Sequence, residues 1–209
     1  MSKGTVRKRT RLSPEKRKEL ILDAAAKVVT SEGVSAVSME RMGREADISK
    51  ALVYNYFSSR NELLAALLCR EYEAINEEYL EASFVAGDIE ELCRLTSRSY
   101  LIHARDKGEL LQRLNNEPAI FELSQDQRST NEKMMNRFLV KQLMQTYHLP
   151  ARTAEVCVDM MGGLIAYASK HVYRSTDDAD FQLVEDLVVE MTMASLKEAS
   201  KKHGVKLTG

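Results

Sequence analysis

The sequence predicts an all-α protein, and three observations carry that prediction. Apolar residues recur at three- and four-residue spacings along most of the chain. No segment alternates apolar and polar residues with the period of two that marks a half-buried strand. Only three prolines interrupt the 209 residues, and two of them, Pro14 and Pro118, sit where a helix would start and the missing N–H costs nothing.

Residues 1–13 carry Lys3, Arg7, Lys8, Arg9 and Arg11 without an acid. That is the composition of a flexible basic arm that orders against phosphate or a minor groove, or of a solubilising tail. Ser13-Pro14 opens helix 1, with Leu20, Ala24 and Val28 as its apolar face and Gly33 as its stop. Ser38 caps a short second helix whose stripe is Met39, Met42 and Ala46. Ala46-Asp47-Ile48 makes a turn in which Asp47 suits a left-handed or Asx conformation. Ser49 then caps a third helix to about Asn55, with Leu52 or Val53 inward and Lys50 and Ala51 outward.

Ser58 or Ser59 opens a long fourth helix to about Phe84, with Leu63, Leu64, Leu67, Leu68, Tyr72 and Ile75 inward. Ala86-Gly87-Asp88 ends it, and a fifth helix runs from Asp88 to about Arg105. Asp106-Lys107-Gly108 reads as a second break before a short helix carrying Leu110, Leu111 and Leu114. After the turn at Asn115–Pro118 an apolar pattern extends from Phe121 to Tyr147, its continuity left open by the polar stretch 124–133. Pro150 ends it. Residues 151–174 form an apolar helix holding Gly162-Gly163, residues 178–200 the last, and the tail after His203 frays.

The net charge of −1 hides an asymmetry. Residues 1–60 hold 13 lysines and arginines against 7 acids, whereas the remainder holds 17 against 24. The basic end is the end carrying the two serine-capped helices, as phosphate binding requires. Cys69, Cys93 and Cys157 are odd in number and lack C-x-x-C spacing, and the four histidines do not cluster. Neither a disulfide framework nor a metal site is indicated, and no cofactor motif, nucleophile elbow or Gly-rich phosphate loop is present. No apolar run approaches a membrane span and no signal peptide is read, so the expectation is a cytoplasmic protein with no membrane partner.

Residues 38–57 are the most informative stretch: two serine-opened helices about one turn apart, the second closing on Tyr54-Asn55-Tyr56-Phe57. This is the pattern of a helix-turn-helix reader of duplex DNA. The stretch resembles the tetracycline-repressor (TetR) family of bacterial regulators. Ile21-Leu22-Asp23-Ala24-Ala25 and Glu32-Gly33-Val34 fit its first helix, Ser38-Met39 opens its second, and Ile48-Ser49-Lys50 through Phe57 match its recognition helix. Ser59-Arg60-Asn61-Glu62-Leu63-Leu64 matches its fourth helix, with Arg60 where lysine is usual. Asp47 and Ala51 stand where the family favours glycine. The resemblance covers roughly residues 14–75.

The resemblance implies a three-helix DNA-binding head (14–75) joined by the long fourth helix to a helical ligand-binding and dimerisation body (76–203), about nine helices in all. Lys50 at the recognition helix start could meet a base edge or a phosphate, and Ala51 and Leu52 only a thymine methyl. The other expected DNA contacts are Ser38, Ser49, Tyr54, Asn55, Tyr56 and Arg60. Ten methionines, many of them in the body, suit an adaptable apolar pocket. Its expected lining is Tyr100, His103, Arg113, Met134, Phe138, Tyr147, Met161 and Tyr167. Gly162 and Gly163 cost roughly 1 kcal/mol each in a helix, which suggests a close crossing in a homodimer interface shared with Val184, Leu187, Val188 and Met191. The alternative for the glycines is an intramolecular neighbour. The reading is a ligand-released dimeric repressor on a palindromic operator, with a ligand-independent DNA-binding protein as alternative. An enzyme reading has no support.

Overall fold

The computed structural model describes residues 13–126, 130–173, 175 and 177–205, and these contain helices and no strand. In order they are α1 (Pro14–Glu32), α2 (Met39–Glu45), α3 (Lys50–Tyr54), α4 (Arg60–Val85), α5 (Ile89–Asn115), α6 (Pro118–Asp126), α7 (Thr130–Tyr147), α8 (Ala151–Ala168) and α9 (Asp178–His203). The basic arm of residues 1–12 and the last four residues lie outside the described residues.

Local chemistry sets the starts. Ser13, Ser38, Ser49, Ser59, Asp88 and Asp177 each accept a first-turn backbone N–H at α1, α2, α3, α4, α5 and α9. Glu62 reaches back to the Ser58 amide at 2.7 Å, which satisfies a further amide at the start of α4.

Three cores result. The first joins α1, α2, α3 and the first half of α4, and it takes in Leu110, Leu111 and Leu114 of α5 and Ile120 of α6. The other two hold the body together: Cys93, Leu143, Ala154, Val158, Val189 and Met193 in one, Leu101, Ile165, Val172, Phe181 and Val188 in the other. α4 contributes to the first core through Leu68 and then continues against α5, α6 and α7.

The structure corrects several expectations. α5 passes unbroken through Asp106-Lys107-Gly108. Gly108 is there because a Cβ would stand 2.7 Å from the Tyr173 Cβ, so the glycine serves a close approach within a helix and not a turn. The apolar pattern 121–147 is two helices, and α8 ends at Ala168 in a 3-10 turn. Leu20 is 40% exposed; Ile21, Leu22, Ala25, Val28 and Val29 form the buried face of α1.

A charged link ties α1, α4 and α5. Glu71 of α4 is 1% exposed. Its carboxylate accepts from Lys107 at 2.5 Å and from Arg70 at 2.9 Å, and Arg70 also holds Asp23 at 2.7 Å and Glu19 at 3.1 Å. Burial pushes the Glu71 carboxyl up, but the hydrogen bonds from Lys107 and Arg70 outweigh it and hold the group below the ordinary 4.5. A carboxylate with a depressed native pKa adds stability that is fully present above 4.5 and lost as pH falls through the native value. Glu71→Gln should therefore lower stability by about 2 kcal/mol at pH 7, measured by urea denaturation. The deficit should shrink in acid as the wild-type carboxylate takes its proton.

Candidate nucleic-acid interface and adjoining cavity

The α2–turn–α3 unit is fixed by a close crossing. The Ile48 N–H donates to the Gly43 carbonyl at 2.8 Å. A Cβ on Gly43 would meet the Ile48 carbonyl at 2.9 Å and the Lys50 amide at 3.2 Å, so no larger residue fits without moving backbone. Asp47 takes φ 52°, the left-handed conformation that lets the chain reverse here. Met39, Met42, Val53 and Phe57 anchor the unit in the head core. Sequence reasoning missed Gly43; its only signal was a glycine inside a seven-residue helix.

The crossing turns one face outward. Ser38, Ser49, Lys50, Ala51, Tyr54 and Asn55 are exposed, Tyr54 by 48%. The hydroxyls of Ser38 and Ser49 accept from the Arg41 and Leu52 amides at 3.2 and 3.1 Å. Each keeps its own proton to donate outward, so one side chain can cap a helix and hold a phosphate. Leu52 and Tyr56 are half-buried, and Tyr56 packs on the head core. Arg60 turns inward: Nε donates to the Val37 carbonyl at 2.9 Å, Nη2 to the Val34 carbonyl at 2.6 Å, and Nη1 to Asn61 at 3.2 Å. It clamps the first turn of α4 to the 3-10 turn Val34–Ala36. Arg41 is likewise engaged, paired with Glu32 through two hydrogen bonds, one of 2.8 Å.

Behind the head a cavity of about 330 Å³ opens between α4, α5, α6, α7, α8 and α9. Of the expected lining, Tyr100 and Met161 do line it. The others lie elsewhere for identifiable reasons. His103 lies beside Glu71, its Nε2 3.7 Å from the carboxylate and without a hydrogen-bond partner among the described residues. Arg113 donates to the Val29 carbonyl at 2.5 Å and pins the end of α1. Tyr147 bonds the Met193 sulfur at 3.7 Å. Met134 is 48% exposed, Phe138 is half-buried away from the walls, and Tyr167 stands outward beneath Lys170. The walls that sequence reasoning missed include Tyr72 and Tyr79 of α4, Phe121 of α6 and Thr192 of α9.

Val188 is buried in the protomer's own core and Val184 packs on it, so neither is free for a second chain. Leu187 and Met191 are exposed, and Leu183 extends their stripe along α9. On α8, Val156, Met160 and Tyr167 are exposed in line with Gly163, and a Cβ on Gly162 or Gly163 would meet nothing within 4 Å. Among the described residues no neighbour explains the glycines. Among the described residues no group of three or more metal-ligating side chains converges, and no helix is long and apolar enough to cross a membrane.

Comparison with known proteins agrees with this geometry. Residues 21–67 match the family of bacterial regulatory proteins, tetR family. The chain is 34% identical over 71 residues to the HTH-type transcriptional repressor KstR of Mycolicibacterium smegmatis, covering 34% of this chain and 35% of that protein. It is 40% identical over 57 residues to the HTH-type transcriptional regulator BetI of Rhizobium meliloti, covering 27% and 28%. The match thus spans about a third of the length of these relatives. The fold extends over nearly the whole chain. A tetR family transcription regulator from Shewanella sp. PV-4 superposes with a TM-score of 0.67 over 88% of this chain and 97% of that one at 17% identity. The fatty acid degradation regulator FadR of Bacillus halodurans gives 0.67 over 93% and 100% at 15% identity.

The inward bonds of Arg60 make a distinguishing prediction. Arg60→Ala should destabilise the head by about 2 kcal/mol, chiefly for loss of the two bonds from a charged donor to the Val34 and Val37 carbonyls. DNA affinity should fall while the slope of log affinity against log salt stays unchanged. A slope reduced by about 0.9 per head would make Arg60 a phosphate contact instead.

Proposed function

We propose that this chain, whose head is a TetR-family DNA-binding domain and whose whole described fold is that of TetR-family regulators, is a homodimeric, ligand-released transcriptional repressor acting on a palindromic operator in the cytoplasm. The observation that carries the reading is the double membership of α4. Leu63, Leu64, Leu67 and Leu68 are buried in the head, and Tyr72, Ile75 and Tyr79 line the cavity. α6 repeats the arrangement over two residues: Ile120 belongs to the head core and Phe121 to the cavity wall. A molecule entering the cavity presses on the two helices that hold the head.

The dimer reading rests on the outward stripes of α8 and α9. Val156, Met160, Tyr167, Leu183, Leu187 and Met191 are all more than a third exposed, an apolar surface that a lone protomer leaves in water. Two copies would stack these helices as a four-helix bundle, with Gly163 allowing close approach. The two heads would then meet successive major grooves, and Ser38, Ser49, Lys50, Ala51, Tyr54 and Asn55 would face the duplex. Lys50 and Asn55 have the reach to read base edges; the serines and Tyr54 are suited to phosphate. Release occurs when the ligand-bound body prefers a head spacing that no longer fits both half-sites. Moving the equilibrium from 1:99 to 99:1 takes about 5.5 kcal/mol of differential affinity.

Selection from a random duplex library should return a two-fold symmetric site, and Lys50→Ala should change the preferred bases more than the affinity for random DNA. Met160→Asp with Leu187→Asp should convert a sedimenting dimer to a monomer and cost at least a hundredfold in operator affinity, since one head would bind alone. Equal affinity for random and selected DNA would overturn the reading.

A further inference from the structure

Resting on the ligand-response reading above, we propose that the cavity takes an uncharged molecule carrying a hydrogen-bond acceptor oxygen, held by the hydroxyls of Tyr79 and Tyr100, and that it excludes carboxylates. Two observations carry this. First, the walls contain no lysine, arginine or histidine among the described residues, and their one ionisable carboxylate, Glu73, is itself exposed. Among the described residues an anion entering this space meets no opposite charge, and an unpaired buried carboxylate is too costly to keep its charge.

Second, the phenols are unspent. Tyr72, which also lines the cavity, pairs its hydroxyl with the Asn115 side chain at 3.0 Å. Tyr79 and Tyr100 have no hydrogen-bond partner among the described residues, although both line the cavity. Burial pushes the Tyr100 hydroxyl up to about 12 and that of Tyr79 higher still, so both remain protonated donors at any physiological pH. Neither hydroxyl is among the fully enclosed unpartnered atoms, so each can meet a guest in the cavity, and a carbonyl, ester or ether oxygen can accept from a phenol there. Of the other hydroxyls in the walls, Thr96 donates to the Leu92 carbonyl at 2.8 Å and Ser124 to the Phe121 carbonyl at 2.7 Å, while Asn76, Gln125 and Asn136 add uncharged amides. At about 330 Å³ the space is at the small end for ligand sites, about eleven waters' worth at ~30 Å³ each.

A carboxylic acid can enter only as its neutral form. With a pKa of about 4.3, only about one part in a thousand is neutral at pH 7.3, so entry costs about a thousandfold and eases tenfold per pH unit of acidification. The test uses matched probes on the full-length protein by calorimetry: 2-acetylnaphthalene against 2-naphthoate, and 2-undecanone against undecanoate. The ketones should bind at least a hundredfold more tightly at pH 7.3. Naphthoate affinity should rise about tenfold between pH 7.5 and 6.5 while the ketone's stays constant. Tyr79→Phe with Tyr100→Phe should weaken the ketones about tenfold and leave the thermal midpoint of the free protein unchanged or higher, which a purely structural role would not do. Carboxylates that bind as tightly as the ketones, or ketone affinity unchanged in the double variant, would overturn the inference. If carboxylates win and also release operator, the ligand-response reading survives and the neutral-ligand inference falls. If no probe of either kind binds, both fall.

Discussion

One helix belongs to the head core at one end and walls the cavity at the other, and the rest of the molecule is arranged around that constraint. α4 has 26 residues, a rod of about 39 Å at 1.5 Å per residue. Its first half is buried with α1, α2 and α3; its second half walls the cavity. A continuous hydrogen-bonded helix bends reluctantly, so displacement at one end is displacement at the other. At its waist sits Glu71, bonded to Lys107 of α5 and, through Arg70, to Asp23 and Glu19 of α1. Breaking a buried pair by removing one partner is costly, so this contact keeps head, rod and body in register. Arg113 on the Val29 carbonyl adds a second tie between α5 and the end of α1.

The head's precision comes from packing and backbone geometry more than from charge. Gly43 lets α2 and α3 touch backbone to backbone, Asp47 bends the turn between them, and Arg60 clamps the start of α4 to the chain just ahead of α2. Of the two charges that sequence reading assigned to DNA, Arg60 is spent inside on carbonyls, and the neighbouring Arg41 is paired with Glu32. The outward set is small: hydroxyls, one lysine, one amide and a phenol ring.

Much of this was legible in the chain. Serine caps, Pro14, Pro118 and helical stripes gave the starts of most helices, and both ends of α1 to α4, to within a residue or two, because local hydrogen bonding decides them. Asp106-Lys107-Gly108 misled, because the reason for Gly108 is Tyr173, sixty-five residues away, and no local pattern carries that. The cavity was harder. Tyr167 and Met134 have the right chemistry and the wrong helix face, while Tyr79 and Phe121 were given away only by which helices meet. Val184 and Val188 were assigned to a partner surface because both faces of α9 are apolar; the inner one is closed by α5 and α8.

The central claim, that the cavity and the head share one mechanical element, can be tested without an effector. Thr192 lines the cavity from α9, which packs on α5, α7 and α8. Thr192→Met places a flexible apolar side chain into the space a ligand would take. The decisive measurement is the affinity of this variant for a selected operator at fixed salt, alongside its thermal midpoint. The account predicts a higher midpoint together with at least a tenfold loss of operator affinity. A higher midpoint with operator affinity unchanged would show a filled cavity that the head does not feel, and would contradict it.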